Sequence, residues 1–216
     1  MRLTVLLIPM LIAGGILLGQ NAESHPSEEH ARFAERPDHP VAPEGVEAPP
    51  MPEPGKAPVV ESEELQALMF DHGAKVLVVN FWATWCGPCV EELPHFAETS
   101  KEFKDEGVRF LGVSLDFADT AESVVEPFLA KKGIPYANLV VNDVTMDPNE
   151  LIPWFDAAWR GNLPATFLFD AQGHKLSAHL GQLTHEELKE AIKQALEDVA
   201  KASEEKAKAN EAAEAS

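Results

Sequence analysis

The sequence predicts an α/β domain in which a mixed central sheet is flanked by helices. Residues 75–83 are a nearly continuous apolar run, Val76-Leu77-Val78-Val79 into Phe81-Trp82, as expected of a central strand buried on both faces. Further strand signals alternate with capped helical segments, which makes a βαβ unit with parallel strands. Residues 165–170 and 175–181, joined by Ala171-Gln172-Gly173-His174, then read as an antiparallel hairpin, so the sheet must contain both strand senses.

From the N-terminus, residues 3–19 form an apolar run behind the single Arg2. At 1.5 Å per residue it reaches about 25 Å, slightly short of the roughly 30 Å hydrocarbon core. Residues 1–19 therefore read as a signal anchor or a cleaved signal peptide. The small-residue cleavage pattern is poor, which favours the anchor. Either reading exports the remainder. Residues 20–58 turn to Pro, Glu, Ala and His, with too little apolar surface to offset the entropy of ordering, and read as a flexible linker. His25, His30 and His39 are irregularly spaced there and read as solvated side chains rather than metal ligands.

The folded part spans residues 59–200. Ser62, Glu63 and Glu64, with Leu65, Leu68 and Met69 at helical spacing, open a first helix that His72 and Gly73 end. The buried run over 75–83 follows. Residues 87–106 read as a long helix with Leu93, Phe96 and Phe103 on one side and Pro94 as a kink or a loosened turn. Residues 108–115 form the next strand, and 120–132 a crossover helix ended by Gly133. A short strand over 134–141 precedes a helix over 148–159, signalled by Asp147, Pro148 and Glu150. After the hairpin, Thr184 and Glu187 cap a last helix whose Leu188, Ile192, Leu196 and Val199 keep one apolar face. Residues 201–216 read as a charged, helical or disordered tail.

The chain has 216 residues and a formal net charge of −19, without any basic block. That weighs against nucleic acid, which needs clustered Lys and Arg to displace counterions. Its 2 cysteines exclude a disulfide-stapled miniature fold and a four-cysteine zinc site. Both lie in Trp85-Cys86-Gly87-Pro88-Cys89, where a buried strand turns into a helix. If Cys86 precedes the first helical turn, its sulfur meets unsatisfied backbone N–H groups and the positive end of the helix dipole, which stabilise a thiolate. Cys86 is then the nucleophile, and Cys89, one turn inside the helix, resolves a mixed disulfide. A redox pair is the favoured reading. Half a zinc site and a Cu(I) dithiolate are the competing ones; no further metal ligands are expected, since no spaced histidine pair lies near the cysteines.

Val78-Val79-Asn80-Phe81-Trp82-Ala83 leading into Trp85-Cys86-Gly87-Pro88-Cys89 resembles the thioredoxin superfamily. The pattern Cys86-x-x-Cys89-x-x-Glu92-x-Pro94, and the stretch from Gly161-Asn162-Leu163-Pro164-Ala165-Thr166 to Asp170, are similar to its exported, usually membrane-tethered branch, the TlpA/ResA/DsbE-like thiol-disulfide oxidoreductases. The resemblance covers roughly residues 59–200 and implies a thioredoxin-like fold with a strand-helix insertion between Gly133 and Trp159, before the cis-proline strand. It implies that Pro164 is cis and lines, with Leu163, Trp85, Gly87 and Pro88, the groove that binds substrate. Asn80 stands where cytosolic members carry a buried acid, so the acid-base role would pass to Glu92, one helical turn beyond Cys89, or to water. Trp85 is expected at the rim, Trp82 in the core, and Trp154 and Trp159 against the inserted helix.

The resemblance implies a reductase of client-protein disulfides in the periplasm or another extracytoplasmic space, serving cytochrome c maturation or copper-site assembly. No cofactor is expected beyond the Cys86–Cys89 disulfide. The expected partners are clients bearing disulfides or thiols, a membrane thiol reductase as electron donor, and the membrane itself through an uncleaved N-terminal segment. Two alternatives stand beside it: a Cu(I)-binding metallochaperone module that uses the same pair without turnover, and an oxidant that forms disulfides.

Overall fold

The computed structural model describes residues 42–214. The apolar run over 1–19 and the first part of the Pro-rich stretch, with His25, His30 and His39, lie outside the described residues. Among the described residues no helix is long and apolar enough to cross a membrane.

Among the described residues six strands form one sheet: β1 (Val59–Val60), β2 (Val76–Trp82), β3 (Val108–Ser114), β4 (Ala137–Val141), β5 (Ala165–Asp170) and β6 (Lys175–Leu180). Their spatial order is β1-β4-β3-β2-β5-β6, parallel across β1, β4, β3 and β2 and antiparallel across β2, β5 and β6. The helices are α1 (Ser62–Leu68), α2 (Gly87–Glu102), α3 (Glu126–Lys132), α4 (Pro148–Phe155) and α5 (His185–Glu214). This is the thioredoxin-like α/β architecture, and β4 with α4 is the inserted strand-helix pair.

Strand alternation divides the core into two layers. Val76, Val78 and Trp82 pack on one face against Leu93 and Phe96 of α2, Leu129 of α3, and Leu188 and Ile192 of α5. Leu77, Val79 and Phe81 pack on the other against Leu65 and Leu68 of α1 and Leu151 and Phe155 of α4. Every residue of β2 is buried, which is why its sequence shows no polar alternation. Phe81 anchors the second layer, with the rings of Phe155, Trp159 and Phe167 at centroid distances of 4.7, 4.6 and 5.8 Å.

Several elements differ from the sequence reading. The helix read over 87–106 ends at Glu102 and tightens into a 3₁₀ turn over 104–106, although it runs unbroken through Pro94. The segment read as one helix over 120–132 is a 3₁₀ turn over 118–120, a π turn over 121–125 and then α3. Pro127 offers no N–H for an α bond, so the turn before it opens to the wider spacing. Gly133 closes α3 at φ 65°, the left-handed position that glycine adopts without strain. Strand β4 begins at Ala137, three residues later than read.

The inserted helix stops at Phe155 rather than near Trp159. Asp156 leaves helical geometry, and its Oδ1 accepts from the Ala158 N–H at 2.7 Å, a local bond that competes with another helical turn. Strand β1 lacked a sequence signal because it is two residues long; the Pro58 carbonyl beside it accepts from Val140 N–H at 2.9 Å. The last residues read as linker are packed rather than free: Ala57 is buried, its N–H donates to Glu126 Oε1 at 3.2 Å, and Lys56 pairs with Glu126 at 3.1 Å.

Candidate active site

The two cysteines sit where the apolar demand of β2 ends and α2 begins. Cys86 is the N-cap residue of α2, with φ −87° and ψ 101°, and its carbonyl accepts the first helical bond from Val90 N–H at 3.1 Å. Its Sγ accepts from Cys89 N–H at 3.3 Å, so the sulfur takes the place that a Ser or Asp oxygen fills at ordinary caps. Pro88, in the first turn, gives up an N–H that has no helical partner there. Cys86 and Cys89 are joined in a disulfide. Cys86 keeps 7% of its surface exposed and Cys89 none, while Gly87 and Pro88 are exposed beside them.

Glu92 lies one turn along the same helix and is fully buried, unlike the neighbouring Glu91. Its Oε1 accepts from Asn80 Nδ2 at 2.9 Å and its Oε2 from Leu183 N–H at 3.0 Å. Asn80 Nδ2 also donates to Thr166 Oγ1 at 3.1 Å, which links β2, α2 and β5 in one polar cluster. Burial pushes the Glu92 carboxyl up to about 7, against the lowering effect of the bonds from Leu183 and Asn80. Buried carboxyls move this way because the interior penalises the ionised form.

Strand β5 enters from the other side. The Leu163–Pro164 peptide bond is cis; Pro164 is buried and Leu163 half-buried. Phe81 pairs with Ala165 across the antiparallel register, which sets Pro164 at the end of the sheet where β2 delivers the cysteines. Trp85 is 67% exposed, Trp82 and Trp159 are buried, and Trp154 is half-buried, with its ring 4.9 Å from that of Phe155.

The model of the AhpC/TSA family matches residues 54–175 of the chain. The chain is a member of the AhpC/TSA family. It is 29% identical to the thiol-disulfide oxidoreductase ResA of Bacillus thuringiensis over 135 residues, 62% of this chain and 72% of that one. It is 30% identical to the ResA of Halalkalibacterium halodurans over 136 residues, 62% and 69% of the two chains. The thioredoxin-like protein YneN of Bacillus subtilis is 28% identical over 132 residues, 61% of this chain and 71% of its own. Among solved structures, a thioredoxin-related protein from Neisseria meningitidis serogroup B has a TM-score of 0.48 at 28% identity, covering 56% of this chain and 85% of that one. This AhpC/TSA-family member is a protein-disulfide oxidoreductase of the thioredoxin type.

Within the family fold, the structure brings Cys86, Cys89, Glu92 and Pro164 to the same end of the sheet. It adds Asp116, which sequence reasoning missed. Asp116 is buried, and its carboxylate accepts from Thr84 N–H at 2.9 Å, Thr84 Oγ1 at 2.5 Å and Ser114 Oγ at 2.7 Å. That clamp holds the turn leading into Cys86. The only hint in the chain is Ser114-x-Asp116 at the end of a strand, with a partner 32 positions away. Phe117, next to the clamp, is 67% exposed and was likewise not anticipated.

Proposed function

We propose that this protein reduces disulfides in client proteins outside the cytoplasm, held near a membrane by its N-terminal segment and supplied with electrons by a membrane thiol reductase. The observation that carries the reading is the capped position of Cys86: the Cys89 N–H at the start of the helix donates to its sulfur, and the helix dipole there lowers the cost of a thiolate. In the reduced protein the Cys86 thiolate attacks one sulfur of a client disulfide and expels the other as a thiolate, which takes a proton. Cys89 then loses its proton and attacks Cys86 Sγ. The second client thiolate leaves, and the Cys86–Cys89 bond closes. Two electrons pass to the client, and an external dithiol restores the pair.

Glu92 is the group proposed to receive the Cys89 proton. At about 7 its carboxyl gives and takes a proton near neutrality, which a carboxyl in water does not. Leu163, Pro164, Trp85, Gly87 and Pro88 are proposed to line the client groove. Clients in cytochrome c maturation or copper-site assembly fit an extracytoplasmic reductase.

Cys86→Ser should abolish insulin-disulfide reduction, and Cys89→Ser should accumulate a mixed disulfide on Cys86; an active Cys86→Ser protein overturns the mechanism. Titration of the pair against glutathione buffers tests the direction. A strongly negative potential supports the reductant, while a value of about −120 mV makes the protein an oxidant instead.

A further inference from the structure

A second group of metal-ligating side chains lies outside the redox pair. His95 and Glu98 are three residues apart on α2, so they share a face of the helix. His185 is the first residue of α5, which packs against α2 through the first core layer. The two helices run in the same direction along this contact: His185 faces Glu98, and one turn on Lys189 pairs with Glu102 at 2.9 Å. One ligand atom from each of His95, Glu98 and His185 lies within 4.8 Å of the other two.

The imidazoles of His95 and His185 stack almost parallel, 9° apart with centroids at 5.6 Å, and neither ring makes a hydrogen bond among the described residues. His185 Nε2 is shielded from solvent and has no partner among the described residues, and Nδ1 is the nitrogen that lies towards Glu98. His185 Nδ1 and Glu98 Oε2 are 3.9 Å apart. That is too long for a hydrogen bond; ligands roughly 2.0–2.2 Å from a tetrahedral Zn²⁺ stand about 3.3–3.6 Å apart, so the two side chains need to close by only a few tenths of an ångström. Glu98 is largely exposed and leaves an open path from solvent. The positive end of α5 opposes a cation here, but Glu98 and the first-turn acids Glu186 and Glu187 offset it.

We infer that His95, Glu98 and His185 form a divalent transition-metal site that takes Zn²⁺, with solvent completing the coordination. Two imidazoles and one carboxylate suit Zn²⁺ and its neighbours Ni²⁺ and Cu²⁺, whereas Ca²⁺ and Mg²⁺ require oxygen-only shells. The site ties the start of α5 to α2. It is independent of the proposed redox chemistry, because it uses neither cysteine.

The test is a titration of the full chain with Zn²⁺ against a chromophoric chelator, with the Cys86–Cys89 disulfide closed so that no thiolate competes. The wild type is expected to bind Zn²⁺ and to melt at a higher temperature with it. His95→Ala and His185→Ala should each weaken binding at least about ten-fold, the loss that even outer-shell changes produce at metal sites. Both should also lose the shift in melting temperature. Failure of the wild type to bind overturns the site, and so does undiminished affinity in both variants, which would move the ligands elsewhere, for instance to His25, His30 and His39. Co²⁺ provides a reading that does not depend on His185→Ala folding: the wild type should show strong low-coordinate d–d bands that His95→Ala lacks. Octahedral-type weak bands in the wild type would overturn the assignment.

Discussion

Glu92 is a carboxylate enclosed on every side, with two hydrogen bonds and no ion pair among the described residues. Its folded value of about 7 lies above the ordinary 4.5. Below 4.5 the group is protonated in both states and has no effect on stability. Between the two values only the unfolded chain ionises, so stability falls as pH rises, by about 3 kcal/mol in all, and the fall is complete above pH 7. Glu92→Gln should remove this slope: its urea midpoint should change less between pH 5 and pH 8 than that of the wild type, and equal slopes would show that Glu92 carries no such shift. Resolution of mixed disulfides by the same variant should lose its dependence on pH near 7. At this scale the sequence was informative where the signal is local. The CxxC and the Pro in the first turn were legible from spacing, whereas the carboxylate one turn on was singled out by the family resemblance. That Glu92 rather than Glu91 is buried follows from the rotation of α2 against β2. Asp116 was invisible, because what defines it is a turn 32 residues away. Asp116→Ala should cost about 2 kcal/mol by leaving Thr84 N–H and two hydroxyls without their acceptor, read as a lower urea midpoint together with slower insulin reduction.

The main elements were legible in type and order, but not the short β1 nor where most of them end. Capped, apolar-faced segments showed themselves: Asp147 accepts from Asn149 N–H at 2.8 Å, and Thr184 and Glu187 exchange their bonds as a capping box. The helix shape around Pro127 was not legible, since a missing N–H can be absorbed by a π turn there or, as at Pro94 and Pro153, without a break. Strand β3 holds a close approach that only glycine permits. A Cβ on Gly112 would lie 1.9 Å from Asn138 Oδ1 and 3.1 Å from Trp82 Nε1, and Asn138 is held by its own bond to the Tyr136 carbonyl at 3.0 Å. Gly112→Ala should therefore destabilise the domain by about 1–3 kcal/mol. In an Asn138→Ala background the same change should cost less, and a double-mutant cycle by urea denaturation checks the coupling.

For the whole molecule, the mixed sheet was legible because a fully apolar β2 demands cover on both faces and the hairpin demands an antiparallel end. The place where the domain starts was not. The Pro-rich approach has the composition of a tether, yet Lys56 and Ala57 are fastened to Glu126 by contacts 69 and 70 positions distant. Residues 201–211 of the last helix are exposed, so removing residues 201–216 should leave the melting temperature within about 2 °C, consistent with surface changes worth roughly 0.5 kcal/mol or less. A larger drop would mean that the tail packs on the domain. Finally, Cys86 is recessed while Trp85 and Phe117, flanking the Thr84–Asp116 clamp, both project. A recessed sulfur is reached more readily by an extended chain than by a compact one, so the protein should reduce a disulfide faster in an unfolded substrate than in the same substrate folded.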